Sequence, residues 1–585
     1  MSAYVRQEQV HDPAPERQSV PDSAPAGLVR DGTMTRLKLL TGSDALESVA
    51  SDAFQVRWKT LHGQCPWATA CQHPDFVVTW YRCYQSRAVP VIVCAEGDDG
   101  ALVGLLPLAL HPGATRLSGA GDHQAEYQGW IQSPNGGDGF IVQAVGLLRA
   151  AFPRADICLR YLPPGIALNG FEPGGRYADL VSLHPHRRPL MKIDAAAMAR
   201  QRNKKNHRQN ANRLGRIGTV GFEKIDAHER FIDVFGALCL QYDFRQAALY
   251  RSMPFATDPL KKLFYLALHR QGVLHVTVLT VNGAIAASHI GLVSQQRSVH
   301  LGINTHDPAL AAHSPGNLLL AMLGVQLATE NIPWFDLTPG GDGYKEHFAS
   351  DHDVVYELTV YSSKARRWRR EATSKGIRLV KDCLHMAGYR PANILAITQK
   401  LESPAALGLQ LCSSLKNRLV SRRREFNYRG EPPQMSASAL PVSKNKLGDL
   451  IGFDSHGAPV RYRDFLHQAM ENMERSSDVY SYVRGSMLCM SCWARTVIAE
   501  PGPTRSSGAP APGTIVLSDL YVHRSARQVG AIAHFLMGIV SELARDRPEV
   551  SIRYRGQVDD ELGAALKTCG FSATNTQPRV LQAGE

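Results

Sequence analysis

The 585-residue chain carries 65 lysine and arginine residues against 53 acidic ones, a formal net charge of +12. This length predicts several domains, and the charge favours anionic partners without choosing among them. No apolar run of about 18 residues predicts a transmembrane segment, and the N-terminus lacks the apolar core of a signal peptide. The eleven cysteines are scattered and odd in number, which indicates reduced thiols in the cytoplasm, and no metal site is predicted.

One pattern occurs three times along the chain. Residues 1–32 come first and are rich in proline, alanine and charge, which predicts a disordered segment. After it, a helix, two strand-like runs around a turn, and a later helix and strand recur three times. The predicted hairpins span 91–110, 274–293 and 479–494, and the helices before them span 74–83, 259–270 and 462–475. Such repetition predicts tandem copies of one α/β unit, each with a separate mixed sheet around its central antiparallel hairpin.

A basic run begins the second copy. Its cations recur at helical spacing, which predicts one helix face, and they are Arg200, Arg202, Lys204, Lys205, Arg208, Arg213 and Arg216. The run is either a solvated helix or a guide for an anionic substrate or carrier. It lacks interleaved aromatic residues and any known nucleic-acid signature, which argues against nucleic-acid binding as the main role.

The most specific stretch spans residues 313–348. Ser314 followed by Pro315 predicts the start of an apolar helix, with serine as N-cap and proline at the first helical position. The free backbone N–H groups of the following residues, Gly316, Asn317 and Leu318, predict a phosphate-binding helix end. A short strand over 334–337, a glycine turn and the pair Tyr344-Lys345 follow.

The remainder predicts a basic helix over 361–395 packed on the second copy, a linker over 396–455 and a last unit over 456–585. In the last unit we expect strands at 515–522 and 551–554 around a helix that begins near Val529. This last unit resembles a domain of the GNAT acyltransferase superfamily, and that resemblance implies a pyrophosphate loop at Arg527 and Gly530, where Ile532 replaces the usual small residue. We therefore expect this unit to bind CoA weakly or not at all.

The order Ser-Pro-Gly, apolar helix, Phe-Asp-Leu, glycine turn and Tyr-Lys resembles the CelD/BcsL-like branch of the GNAT acyltransferase superfamily. The first copy carries further matching motifs, among them His73-Pro74-Asp75-Phe76 and Glu126-Tyr127. The resemblance covers about 33–395, and it implies a mixed α/β fold with two GNAT-like halves, 33–180 and 181–395. Residues 456–585 resemble a further GNAT-like domain.

The resemblance also implies roles for the site residues. Ser314, Gly316, Asn317 and Leu318 are expected to hold acetyl-CoA or another acyl-CoA. Asp336 is expected to act as a base or to orient the acceptor, unless it only caps the glycine turn. Tyr344 is expected to protonate the leaving thiolate and Lys345 to neutralise a phosphate or an oxyanion, the alternatives being a rim aromatic and a surface lysine.

Three histidines and one further aspartate are weaker candidates. His289, His300 and His313 could each serve as a general base, although lone histidines on strands are more often structural. Asp307 is expected to fix a turn.

The function we expect is a cytoplasmic acyl-CoA-dependent N- or O-acetyltransferase. By resemblance, its acceptor is a sugar hydroxyl or an amine in exopolysaccharide or cellulose biosynthesis, in association with a polysaccharide synthesis complex. Two alternatives stay open. One is a FemAB-like aminoacyl or peptidyl transferase that uses charged tRNA, and the other is a non-catalytic scaffold or regulator with a GNAT fold.

Overall fold

The computed structural model describes residues 26–28, 35–373, 376, 423–428, 440–498, 510–546 and 551–573, apart from 114, 135–138, 169, 295–296, 457 and 459. The chain forms two compact units. The first comprises the described residues within Met1–Gly236, Pro254–Thr305 and Gly316–Cys383, and the second those within Ala237–Met253, His306–Pro315 and Leu384–Glu585. Most of the predicted disordered segment and of the predicted linker lies outside the described residues. No helix within the described ranges is long and apolar enough to cross a bilayer.

One 15-stranded mixed sheet forms the first unit, in the order β1-β2-β3-β4-β5-β7-β15-β8-β14-β12-β11-β10-β9, with β6 paired to β4 and β13 to β11. The strands are β1 (Ala26–Leu28), β2 (Thr35–Thr41), β3 (Val89–Glu96), β4 (Leu102–Leu110), β5 (Arg116–Gly119), β6 (Ile131–Gln132), β7 (Asp156–Leu162), β8 (Val181–Lys192), β9 (Val220–Lys224), β10 (Leu274–Val281), β11 (Ala284–Ser294), β12 (Ser298–His300), β13 (Ile303–His306), β14 (Trp334–Asp336) and β15 (Asp351–Val360).

Within the described residues, eleven α-helices accompany these strands in the chain. Residues 237–250 of the long helix α7 belong to the second compact unit. The helices are α1 (Gly42–Ala50), α2 (Asp52–Gln64), α3 (Pro74–Tyr84), α4 (Gly139–Ala151), α5 (Ala195–Arg202), α6 (Lys205–Ile217), α7 (His228–Tyr250), α8 (Pro259–Arg270), α9 (Pro315–Thr329), α10 (Gly343–Phe348) and α11 (364–373).

Each half of this sheet contains the same unit of structure. In the first half the hairpin β3–β4 is followed by β5, α4 and β7, and β5 pairs parallel with β7. In the second half the hairpin β10–β11 is followed by β12, α9 and β14, and β12 pairs parallel with β14. Asn282 and Gly283 both have positive φ at the second hairpin turn, as expected for an Asn-Gly turn. The mixed α/β fold and its repeated hairpins are therefore as predicted.

The two halves share a single sheet, because β15 pairs antiparallel with β7 on one side and with β8 on the other. Our expectation of three separate sheets was therefore wrong. The reason is a strand pairing across nearly 200 residues, Tyr356 with Leu162, which no local pattern reveals.

The second unit contains a seven-stranded sheet in the order β17-β18-β19-β20-β21-β16-β22. Its hairpin β18–β19 is followed by β20, the helix α14 and β21, and β20 pairs parallel with β21. The arrangement of hairpin, strand, helix and parallel strand therefore occurs a third time. The strands are β16 (Arg423–Tyr428), β17 (Ser443–Lys444), β18 (Asp478–Arg484), β19 (Met487–Thr496), β20 (Ile515–Val522), β21 (Ile552–Gln557) and β22 (Phe571–Ala573). The helices are α12 (Leu447–Ile451), α13 (Tyr462–Glu474), α14 (Val529–Asp546) and α15 (Asp560–Thr568).

Strand β16 corrects the prediction that residues 396–455 are only a linker. It lies between β21 and β22, and Phe426 is buried in the core of the second unit. Strand β8 takes the same position in the first unit, between β14 and β15. In both cases the strand that completes the sheet comes earlier in the chain than the repeated hairpin, strand, helix and strand.

Two predictions about basic helices also need correction. The basic run over 200–216 forms two helices, α5 and α6, because the first ends at Arg202 and the second begins at Lys205. The described part of the helix predicted at 361–395 is α11, and it contacts the first half of the sheet instead of the second. Its Arg366 pairs with Asp156 at the start of β7, at 2.9 Å.

Candidate active site

The two parallel strands of the second half, β12 and β14, separate from each other at the end of β14. The backbone N–H of Leu301 still donates to the carbonyl of Asp336, at 2.8 Å. Gly302 then turns the chain with φ +49°, where a Cβ would collide with the carbonyl oxygen of Ile290. Beyond this turn the chain forms β13, which pairs with β11 instead of β14. The carboxyl ends of parallel strands, where neighbouring strands separate, are where open α/β sheets bind their ligands.

Helix α9 begins at this same edge of the sheet, because a helix that connects two parallel strands starts where both strands end. It begins at Pro315, as predicted, with Gly316, Asn317 and Leu318 in its first turn. Ser314 has left-handed backbone, with φ +50°, and closes the preceding 3-10 helix over Pro308–His313. A capping serine usually has extended backbone, so Ser314 differs from the expected N-cap.

Asp336 is almost completely buried, with 1% of its side chain exposed, and accepts three hydrogen bonds. Its Oδ2 accepts from the Tyr127 hydroxyl at 2.6 Å and from Arg188 Nη1 at 3.0 Å. Its Oδ1 accepts from the backbone N–H of Thr338 at 2.8 Å. A carboxylate with this many donors is fixed in place, and both of its oxygens already accept hydrogen bonds.

Arg188 and Tyr127 complete the surroundings of Asp336. Arg188 also makes a bidentate ion pair with Asp353 and lies over the Tyr127 ring. Burial alone lowers the pKa of Arg188, but the hydrogen bond to Asp353 and the charge of Asp336 raise it above its ordinary value. Burial and the charge of Asp336 raise the pKa of Tyr127 well above its usual range. Both side chains therefore keep their protons and remain hydrogen-bond donors to Asp336.

Lys345 is buried and fixes the turn that follows β14. Its Nζ donates to the Thr338 and Pro339 carbonyls, at 3.2 Å and 3.3 Å. Thr338 has φ +58°, a strained value for a β-branched residue. A Cβ at Gly340 would lie 3.0 Å from Lys345 Nζ. Burial lowers the pKa of Lys345, and the charges of Asp342, Glu126 and Asp336 oppose that shift. Lys345 is thus not a solvated surface lysine.

Tyr344 is half-buried and packs against the core cluster that contains Phe335 and Phe348. It lies beside Lys345 on α10, so the pair borders the same strained turn. Its proposed role as an acid stays a prediction.

Glu126, which precedes Tyr127 in the Glu126-Tyr127 motif of the first half, is a further candidate for the site. Its side chain is 23% exposed, and its nearest cation, Arg160, lies 3.8 Å away. Among the described residues no group hydrogen-bonds its carboxylate. Burial raises the pKa of Glu126, and the charge of Asp336 adds to this, while Arg160 and Lys345 act in the opposite direction. No local sequence signal could place Glu126 here, since Tyr127 and Asp336 lie 209 residues apart.

The histidine candidates differ from one another. His289 is fully buried, one ring nitrogen lies 3.0 Å from the carbonyl of His300, and burial lowers its pKa to about 3. That environment fits a structural residue. His300 is also buried but lies against the Tyr127 ring, 5.3 Å between centroids, and burial lowers its pKa. Asp307 caps the backbone of Ala309 at 2.9 Å, as expected for a turn residue.

In the second unit the expected phosphate loop is altered in a way that the sequence did not show. Ile532 does not project towards the loop but is buried in the core. Arg527 instead pairs with both Asp559 and Glu561. Two carboxylates therefore already neutralise the one cation of the loop, which disfavours an anionic ligand there.

Comparison with known proteins gives one family match. Residues 201–346, about a quarter of the chain, match the family described as an acetyltransferase (GNAT) domain. This segment includes α6, the end of β14, Asp336, Tyr344 and Lys345. No curated protein matches the chain significantly.

Several solved structures are similar in part. One is the C-terminal domain of a putative lysylphosphatidylglycerol synthetase from Agrobacterium fabrum, at 13% identity and TM-score 0.36, over 55% of this chain and 96% of that one. FemX is similar at 9% identity and TM-score 0.37, over 54% and 97%. A tandem GNAT protein from the clavulanic acid biosynthesis pathway is similar at 12% identity and TM-score 0.34, over 56% and 99%. At such low scores these likenesses identify neither activity nor substrate.

Proposed function

We propose that this chain is an acyl-CoA-dependent acyltransferase whose active site lies at the carboxyl ends of β12 and β14. The observation that carries the proposal is the end of the β12–β14 pairing beside Asp336, where the two strands separate next to a cluster of charged and polar groups. We call this group, made up of Glu126, Tyr127, Arg188, Asp336 and Lys345, the Asp336 cluster. The matched GNAT acetyltransferase segment includes the end of this pairing and stops at residue 346.

The donor would bind with its phosphates at the first turn of α9. The backbone N–H groups of Gly316, Asn317 and Leu318 have no carbonyl partner within their own helix, and the helix dipole favours a negative charge there. A donor held at this end would direct its thioester along the carboxyl ends of the strands towards Asp336, because both lie at the same edge of the sheet.

The acceptor would react beside Glu126. Its hydroxyl or amine attacks the thioester carbonyl, Glu126 takes the proton that this group loses, and the C–S bond breaks to release the thiolate. Tyr344 would return a proton to that thiolate. Asp336 and Lys345 act as positioning residues in this scheme, because hydrogen bonds to Tyr127, Arg188 and the Thr338 turn occupy both.

The acceptor class rests on the resemblance to the CelD/BcsL-like branch. It suggests a sugar hydroxyl or an amine in exopolysaccharide or cellulose biosynthesis.

Calorimetry with acetyl-CoA tests the donor site. Gly316→Asp places a carboxylate beside the phosphates, and the repulsion of about 1–4 kcal/mol should weaken binding roughly five- to a thousand-fold. Gly63→Asp is the matched control, because that glycine lies on α2 with open space around it. An unchanged affinity in folded Gly316→Asp would refute the placement. Stabilisation by aminoacyl-tRNA but not by acetyl-CoA would instead favour the transferase that uses charged tRNA.

A further inference from the structure

Helices α5 and α6 present a basic surface without any acidic residue. From Ala195 to Ile217 the sequence contains no aspartate or glutamate. All the cations of this stretch are exposed, and no described acidic side chain lies within 4.0 Å of any of them. They are Arg200, Arg202, Lys204, Lys205, Arg208, Arg213 and Arg216. We call these residues the basic face.

The basic face has a defined direction on α6. His207 and Leu214 are the buried residues of this helix. On the opposite side Lys205, Gln209, Asn212 and Arg216 follow one another at helical spacing. From Lys205 to Arg216 this line runs for about 17 Å. A single diphosphate is far shorter, so the surface suits an extended ligand that carries several negative charges.

The buried side of α6, opposite the basic face, packs next to the candidate active site. The ring of His207 on α6 packs against Phe348 on α10, with centroids 6.1 Å apart. Helix α10 also carries Tyr344 and Lys345. Because His207 lies on the side of α6 opposite the basic face, a ligand on that face would lie about one helix diameter, roughly 10–12 Å, from α10. A chain of several sugars is long enough to cross this distance and reach the Asp336 cluster.

We propose that the basic face binds an acidic polysaccharide, a chain whose sugars carry carboxylate or sulfate groups, and that this chain is the acceptor. The inference rests on the proposed acyltransferase function and adds the charge and the polymeric nature of its acceptor. The cations would pair with the acidic groups, while a sugar hydroxyl of the same chain reaches Glu126.

The composition of the surface favours a polysaccharide over a membrane or a nucleic acid. Its exposed neutral polar side chains are the amides of Asn203, Asn206, Gln209 and Asn212, which can donate to and accept from sugar hydroxyls. A helix that lies in a membrane presents a stripe of large apolar residues on the side that binds, whereas α6 exposes one, Ile217 at its last position, beside the line of Lys205 and Arg216 and not on it. Single-stranded nucleic acids stack on aromatic side chains, and the face has no aromatic residue.

The test measures binding of fluorescent polygalacturonate to the full-length protein at low and high salt. The variant Lys205→Glu/Arg208→Glu/Arg216→Glu should lose at least tenfold in affinity at low salt, and salt should weaken binding of the original protein. The control variant Arg82→Glu/Lys262→Glu/Arg270→Glu changes the charge equally on α3 and α8, and should bind like the original.

Two further probes complete the test, a double-stranded RNA and vesicles with phosphatidylserine. Tighter binding of either one than of polygalacturonate overturns the inference, and so does equal loss in both triple variants. Acetyl-CoA calorimetry on the same proteins separates this inference from the proposed function. If polygalacturonate is not bound while acetyl-CoA is, the acidic acceptor is wrong and the acyltransferase proposal stands.

Discussion

Two carboxylates of the Asp336 cluster have opposite surroundings. Asp336 accepts hydrogen bonds from Tyr127, Arg188 and the Thr338 backbone. Glu126 accepts none from the described residues and is partly exposed, with its pKa raised by burial. When two nearby carboxylates are held so differently, the freer one with the raised pKa is suited to exchange protons.

Glu126→Gln should therefore lower kcat by roughly 10²–10⁴-fold, the usual contribution of a general base. Since a base must be unprotonated, the rate of the original enzyme should fall as the pH drops through the pKa of Glu126. Burial raises that pKa, so the fall should begin at a higher pH than for an ordinary carboxyl. In Glu126→Gln this acidic limb should disappear. The exposed Glu172→Gln serves as control, and an unchanged profile in Glu126→Gln would exclude the role.

Asp336→Asn should reduce the free energy of unfolding by about 3 kcal/mol, because it leaves the buried Arg188 without one of its two anions. Asp353→Asn is the control, since Asp353 pairs with the same arginine but is 37% exposed, and should cost about 1 kcal/mol or less. Urea unfolding measures both. Equal losses would show that Asp336 is no more important to Arg188 than its exposed counterpart.

At this scale the sequence could predict which residues lie near one another better than it could predict their hydrogen-bond partners. The order of motifs pointed to Asp336 and Lys345, and the structure brings both to the Thr338 turn. Their partners could not be predicted, because Tyr127 and Arg188 lie 209 and 148 residues from Asp336 in the chain. Whether Asp336 is free or fixed depends on those partners.

The repeated element of the fold is a hairpin followed by a strand, a helix and a parallel strand. Local patterns predicted its members well, and β20 begins and ends at the predicted residues, 515 and 522. Local patterns did not predict β8 and β16, the strands that precede the repeated element in the chain and complete its sheet. In β16 the described pattern offers one fully buried residue, Phe426, between polar neighbours, which is too little to distinguish a strand from a linker.

Phe426→Ala tests whether β16 belongs to the sheet. Removing a buried phenylalanine from a packed core should cost about 3–5 kcal/mol of stability. Asn427→Ala, the next residue of the same strand, is only half-buried and should cost much less. Chemical unfolding of the full-length protein measures both. If Phe426→Ala left the free energy of unfolding almost unchanged, this segment would be a linker and not a strand of the sheet.

Across the whole molecule, each compact unit has its own sheet and hydrophobic core. We expect two transitions in scanning calorimetry, and Phe426→Ala identifies the one that belongs to the second unit. Acetyl-CoA at about 100 times its Kd should stabilise the first unit by about 2.7 kcal/mol and leave the second unchanged. If acetyl-CoA instead raised the midpoint temperature of the second transition, the donor would bind to the second unit, near Arg527.

The position of β15 has a consequence for how the protein is made. Strand β7 leaves the ribosome about 190 residues before its partner β15. At 5–20 residues per second, one side of β7 stays without its partner for roughly 10–40 s. An unpaired strand edge invites pairing with other chains. A chain that ends at residue 350 should therefore aggregate during expression while the full-length protein stays monodisperse, as light scattering would show. Equal solubility would mean that another segment shields β7 during synthesis.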